Sequence, residues 1–323
     1  MLCMIVFLAM SGGAAGAQTT QDQPEVFAPG VISGGANSLT PAFAADCRTV
    51  WFTVGNSLEN VIVTSHFGGG QWTRPTIAGF SGYWRDLEAA MAPDGSYLIF
   101  ASNRPAVDGG AALDGNYSGA VQVGRGGNLW RVDRRGTGWG TPVRLPDVVN
   151  ASSSVFSPSV VADGSVYFMK ASPETGRFQI YRSQFADGRY EAATRVAFSD
   201  EQWNNVDATV APDESFAVFS SSRPPTADKD LDLFIVFRHD GVWGVPESLG
   251  PRVNSPKGEI EAHLAPDGHT LFFGSNRVVL TPPGSQVALD RMRSWNTGLM
   301  NIWRVDLASW LPGGGGHVGC TVP

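Results

Sequence analysis

The sequence predicts an all-β protein, a five-bladed β-propeller of four-stranded antiparallel blades closed by the N-terminal strand, and three observations predict it. Its 323 residues include 39 Gly, 21 Pro, 18 Phe and 10 Trp, the composition of many short strands joined by tight turns. One unit recurs five times, and its turn aspartates Asp46, Asp94, Asp163, Asp213 and Asp267 are spaced by 48, 69, 50 and 54 residues, a period of propeller blades. The last unit lacks a fourth strand, and a segment at the start of the chain supplies one.

The cleanest copy runs from Gly258 to Arg277. Glu261-Ala-His-Leu-Ala alternates polar and apolar, Pro266-Asp267-Gly268 supplies turn chemistry, and Thr270-Leu-Phe-Phe-Gly is a short β-rich run, so the pair reads as a hairpin. In two copies Cys47 and Glu214 stand where glycine best tolerates positive φ, which implies strain or another turn type there. A third strand follows with the order polar, apolar, aromatic, as in Asn128-Leu129-Trp130, Gln179-Ile180-Tyr181, Asp232-Leu233-Phe234 and Asn301-Ile302-Trp303, with Asn60-Val61-Ile62 a weaker copy. The fourth carries Trp72, Trp139, Tyr190 or Trp243, three of them in W-x-x-P through Pro75, Pro142 and Pro246. Proline suits an outer edge because it has no donor for a further strand.

After Trp303 the chain passes quickly into glycines, whereas residues 26–33 match the spacing of a fourth strand and have no sheet of their own. The N-terminal strand is therefore expected to complete the last blade; Trp310-Leu311-Pro312 as a degenerate fourth strand is the competing reading. With the innermost strands starting on the upper face, the first turns lie below. Residues 105–127 and 278–299, both second-to-third connections, then decorate the upper rim.

Residues 1–17 end in Ala15-Gly16-Ala17 after an apolar run, the pattern of a secretory signal peptide, although no Lys or Arg precedes the run and a buried strand is the competing reading. Residues 18–24 read as a polar lead-in, 25–312 as a single propeller and 313–323 as a Gly-rich tail. The expected protein is periplasmic or secreted, monomeric and not inserted in a membrane. With 30 acidic against 23 basic residues, a net charge of -7 and no long Lys/Arg cluster, nucleic acid is excluded as a partner. Removal of the leader leaves Cys47 and Cys320, a pair that an exported protein can oxidise or keep as two thiols. Propeller geometry brings the tail to the face of the Cys47 turn, which favours the disulfide.

The string Ala92-Pro93-Asp94-Gly95, Ser102-Asn103-Arg104, Asn128-Leu129-Trp130, repeated at Ala265 to Gly268, Ser275 to Arg277 and Asn301 to Trp303, resembles the TolB-like propeller repeat over residues 25–307. The resemblance implies the fold and no particular reaction, since such repeats occur in translocation-system proteins, peptidase propellers and exported proteins of many kinds. The sequence shows five repeats where TolB has six, and no α/β domain before them. The peptidoglycan-associated lipoprotein partner that closer likeness to TolB would imply is not carried over.

Six residues before each turn aspartate the units present Thr40, Glu88, Ser157, Asp207 and Glu261; sixteen residues later they present Asn56, Arg104, Ser172 (after a one-residue deletion), Arg223 and Arg277. Acid and arginine occur together in three units and are missing together in two. That coincidence predicts an ion pair within each blade, because a lone charge near the axis is costly and a charge-assisted pair is satisfied. The functional reading places the same six residues at the upper end of the channel, with Asp86, Asn205 and Glu259 two positions before each acid and His263 two positions after Glu261. Convergent polar groups in an axial funnel are a default ligand site.

The leading expectation is a binding module for a protein or carbohydrate ligand, with no cofactor required, although three carboxylates offer oxygen ligands to a divalent cation. The alternative, implied by resemblance to the five-bladed propellers of arabinanases and xylosidases, whose acid, base and auxiliary carboxylate sit on innermost strands, is a carbohydrate-active hydrolase using Glu88, Asp207 and Glu261, with separations of about 6.5–9.5 Å for inversion. An arginine beside each acid counts against it, since a cation depresses the pKa of a general acid. Other signals are weaker. His66, His239, His269 and His317 show no paired spacing, Asp228-x-Asp230-x-Asp232 lacks the glycine and distal glutamate of a calcium loop, and the tryptophans read as edge-strand packing before sugar platforms.

Overall fold

A computed structural model describes residues 23–56, 58–226, 230–280, 282, 284–314 and 320–323; the expected leader 1–17, Asp228 and His317 lie outside them. Five sheets form the blades of a propeller, with innermost strands Asn37–Phe43, Asp86–Met91, Val155–Val160, Asn205–Val210 and Glu259–Leu264. Each innermost strand turns through its aspartate into an antiparallel second strand, which pairs in turn with the third. Second strands such as Tyr97–Ser102 and Phe216–Ser221 are buried on both faces, because neighbouring blades cover both sides. Their continuous apolar runs follow from that burial.

The W-x-x-P prolines interrupt the outer strand rather than merely edging it. In blades 1, 2 and 4 it consists of two-residue pieces on either side of the proline, such as Gln71–Trp72 and Thr76–Ile77, both paired with the same third strand. The tryptophan before each break turns inward, so Trp72 meets Phe27, Phe43 and Phe67 edge-on.

The N-terminal strand closes the ring. Glu25–Val26 pairs antiparallel with Trp303 and Arg304, and Phe27 N–H donates to Ile302 O at 2.8 Å. Beyond it, Ser33 Oγ lies 3.2 Å from Ile302 N–H, and this contact repeats around the ring. Ser81, Asn150, Ser199 and Asn254 accept from Ile62, Leu129, Ile180 and Leu233 in the other blades. Ser33 is thus the fifth member of a repeated set, carried to the other end of the chain. Trp310 instead packs beside the cluster of Trp295 and Trp303, outside the sheet.

Both departures from glycine in the turns hold positive φ, 55° at Cys47 and 58° at Glu214. Left-handed backbone costs a side chain roughly 1–2 kcal/mol, and here each side chain anchors something. Cys47 forms a disulfide with Cys320, Cα atoms 5.7 Å apart. Glu214 accepts from Tyr167 Oη at 2.6 Å, from Arg182 at 2.7 Å and from Arg238, joining blade 3 to blade 4.

The two long connections carry small elements of their own, a hairpin of Gly115–Tyr117 and Ala120–Gln122 and a helix, Gln286–Ser294. Tyr117 rests against Phe156 and Phe178 of blade 3, whereas the helix buries none of its residues. No helix among the described residues is long and apolar enough to cross a membrane.

Candidate functional site

The five innermost strands share a β-bulge. Leu87 faces Ala101 and Ala90 faces Ile99, so one extra residue is inserted between them, and the same shift occurs in every blade. The residue at its start is left-handed each time: Thr40, Glu88, Ser157, Asp207 and Glu261 have φ of 52°, 57°, 47°, 54° and 56°. None is glycine, so each is strained. Five strained residues on one ring around the channel mark it as a place where geometry outranks backbone comfort.

The structure overturns the expected pairing of acid and arginine. Arg104 binds Asp86 at 3.1 Å, not Glu88, and Arg277 binds Glu259 at 2.8 Å, not Glu261. In blade 4 Arg223 binds the amide oxygen of Asn205 at 2.7 Å, not Asp207. Each guanidinium also donates to a carbonyl of the connection entering its blade, Phe80, Val253 or Phe198, and lies against two aromatic rings, as Arg104 does with Phe100 and Trp130. Asp86, Asn205 and Glu259 are fully buried. Burial raises the carboxyl pKa of Glu259 despite its arginine and lowers that of Arg277, as in pairs whose desolvation rivals their attraction. These six residues clamp the blade entrances and leave the ring.

Glu88, Asp207 and Glu261 therefore face the channel without a blade arginine, and they work between blades instead. Ser157 N–H donates to Glu88 Oε2 at 2.7 Å, Ser157 Oγ donates to Asp207 Oδ1 at 2.6 Å, and Glu261 N–H donates to Asp207 Oδ2 at 3.2 Å. Glu88 N–H completes the run on Thr53 Oγ1, which also meets Thr40 Oγ1 at 2.7 Å. The positive φ supplies the means, turning the bulge N–H away from its own hairpin and toward the preceding blade. Asp207 is fully engaged. Glu261 Oε2, by contrast, is buried without a partner, as is Nε of Arg85, the residue just before Asp86 at the upper end of blade 2.

The electrostatics follow from burial and crowding. Burial, then repulsion from Asp207, pushes Glu88 up to about 7, against the opposing effects of the Ser157 N–H and of Arg85. Glu261 is held well above the usual carboxylate range by burial and by Asp207 and Glu88, with Arg85 again opposing. Burial also raises Asp207, partly offset by the Ser157 hydroxyl and the Glu261 N–H.

His263 sits one tier below. It lines an axial cavity of about 140 Å³ at the turn end of the channel, with Ser159, Thr209, Leu264 and the prolines Pro41 and Pro158. Burial lowers its imidazole to about 4, so it is neutral at physiological pH. The Ser159 and Thr209 hydroxyls already accept from Val210 and Leu264 N–H groups, both at 3.0 Å. Among the described residues no three His, Cys, Asp or Glu side chains gather closely enough to hold a metal ion. Sequence reasoning missed Arg85, which has no counterpart in the repeat; the bulge does have a signal, since each ring residue is polar and followed by Pro or Ala.

No family model and no curated protein matches the sequence. Among solved structures, an α-L-arabinofuranosidase from Podospora anserina in complex with cellotriose is similar over 89% of this chain and 97% of its own, at 13% identity and a TM-score of 0.52. A putative TolB from Agrobacterium tumefaciens is similar over 74% of this chain and 70% of its own, at 17% identity and a TM-score of 0.46. TolB from Acinetobacter baumannii is similar over 84% of this chain but only 55% of its own, at 13% identity and a TM-score of 0.43. At these identities the likeness is one of fold.

Proposed function

We propose that the protein is a ligand-binding propeller whose site is the upper end of the channel, where Glu88, Glu261 and Arg85 meet the ligand and Thr40, Ser157 and Asp207 form the wall. The observation that carries this reading is that, of nine buried side-chain atoms without partners among the described residues, the two that belong to an acid and an arginine, Glu261 Oε2 and Arg85 Nε, both belong to the upper end of the channel. Buried polar groups nearly always find a partner, and each one left unmade costs about 1–3 kcal/mol. A ligand offering a donor to the carboxyl and an acceptor to the guanidinium recovers both. The lower cavity is less suited, because two of its hydroxyls are already occupied by the neighbouring blade.

A hydrolytic reading has one specific observation in its favour. Glu88, at about 7, is suited to give and take a proton at neutral pH, and the arginine that would have depressed it is bound to Asp86. The fold is compatible, being shared with an arabinofuranosidase, but one fold hosts many functions. Binding ranks first because Asp207, the natural second carboxylate, has both oxygens committed to the ring.

Thermal-shift screening of neutral, cationic and anionic small molecules against the wild type, Arg85→Ala and Glu261→Gln tests the binding reading. A ligand that raises the wild-type melting temperature should lose its effect in both variants. Ligands that shift all three proteins equally would place the site elsewhere. Incubation with plant and bacterial polysaccharides tests hydrolysis: sugar released by the wild type and not by Glu88→Gln would favour it.

A further inference from the structure

Eight of the ten tryptophans lie in or against the hydrophobic clusters between blades. Trp84 and Trp203, both half-buried, belong to none of these clusters, and among the described residues their rings meet no other ring and no cation. They hold the same place in the repeat, two residues ahead of Asp86 and Asn205, where the chain enters the innermost strands of blades 2 and 4 at the upper face. The other blades carry Ala36, Ser153 and Lys257 there, so blade architecture does not require an indole.

We infer that Trp84 and Trp203 are stacking platforms for a neutral oligosaccharide whose hydroxyls reach Arg85 and Glu261, an inference that rests on the funnel reading above. The ligand class follows from what the upper end of the channel leaves unmet. Glu261 Oε2 lacks a donor and Arg85 Nε lacks an acceptor, and a hydroxyl supplies either. A cation would suit the carboxyl and be repelled by Arg85; an anion would suit Arg85 and meet Glu88, Asp207 and Glu261. The C–H faces of a sugar ring match the flat apolar surface of an indole, while its edge carries the hydroxyls. Blade 3 stands between the two platforms in the ring, with the hairpin of Gly115–Tyr117 and Ala120–Gln122 resting on it, so a chain of sugars is called for rather than a single ring.

Titration calorimetry and tryptophan fluorescence with short neutral gluco-, xylo- and arabino-oligosaccharides test the inference, with the corresponding monosaccharides and spermine as comparisons. At least one oligosaccharide should bind more tightly than its monosaccharide. Its affinity should fall about tenfold or more in Trp84→Ala and in Trp203→Ala, and recover in the Phe variants, which keep a stacking face. Both indoles lie outside the hydrophobic clusters, so the Phe variants should melt near wild type and separate loss of stacking from loss of stability. Oligosaccharide binding unchanged in both Trp→Ala variants but lost in Arg85→Ala and Glu261→Gln would overturn the stacking and leave the funnel reading. The reverse pattern would overturn the funnel reading and leave the indoles as the binding surface. Absence of saccharide binding, or preference for spermine, would overturn the ligand class.

Discussion

Ser157 donates its hydroxyl to Asp207 at 2.6 Å, joining blade 3 to blade 4 inside the channel through two side chains fifty residues apart. Its own N–H is held by Glu88 of blade 2, so one residue links three consecutive blades. The channel ring is therefore a belt as well as a candidate site, and substitutions there act on stability and on binding together.

Ser157→Ala should separate the two roles. It keeps the N–H that Glu88 accepts and removes the hydroxyl, leaving the buried Asp207 Oδ1 without its donor. The expected cost is about 1–3 kcal/mol in urea unfolding, because the lost bond strands an acceptor. A cost near zero would mean that the belt contributes nothing to blade cohesion.

Two opposed contributions to the pH dependence of stability, from Glu88 and His263, can be separated by single variants. Glu88 rises from 4.5 to about 7 on folding, so in that window the folded protein holds a proton that the unfolded chain has released. Its contribution falls as pH rises through the window and is level above it. Glu88→Gln keeps an acceptor for Ser157 and cannot ionise, so wild type should lose on the order of 3 kcal/mol relative to the variant across the window. His263 falls from 6.5 to about 4, so its contribution is present above 6.5 and lost as pH drops toward 4. Denaturant unfolding of His263→Leu should show a flatter acid limb than wild type; parallel limbs would contradict a neutral, buried imidazole.

Arg277→Met tests the clamp. The substitution leaves Glu259 buried and charged without its cation, and should cost about 3–5 kcal/mol by thermal or urea unfolding. Glu261→Gln should cost far less, since Arg277 does not touch Glu261. Equal costs would restore the pairing expected from the sequence.

The disulfide spans 273 residues and pins the tail, with Val322 buried, beside the blade whose strand closes the ring. Cys320→Ser should lower stability by about 2–5 kcal/mol. Hydrogen exchange should quicken in the closing segment around Phe27 and Ile302 before it does in blade 3. Uniform loss of protection would show that the seam is no weaker than the other blade junctions.

Blade number, the N-terminal closure and the two upper insertions were legible in the sequence, because repeats announce themselves through spacing and through Asp-Gly turns. The partners of Arg104 and Arg277 were not. Continuing the Ala90–Ile99 register sets Glu88 opposite Ala101, three residues short of Arg104, whereas Asp86 faces Ser102, two residues from Arg104 and within reach of its guanidinium. A bulge depends on φ, and Glu88, Asp207 and Glu261 are not residues that advertise a left-handed backbone. Arg85 was invisible for another reason, since it occurs once, and comparison of repeats finds only what recurs.

A crystal structure of the protein soaked with a bound neutral oligosaccharide tests the central claim most directly. Density on the channel axis with hydroxyls within hydrogen-bond distance of Arg85 Nε and Glu261 Oε2 is the expected result. Density confined to the lower cavity beside His263, with those two atoms still unpartnered, would contradict it.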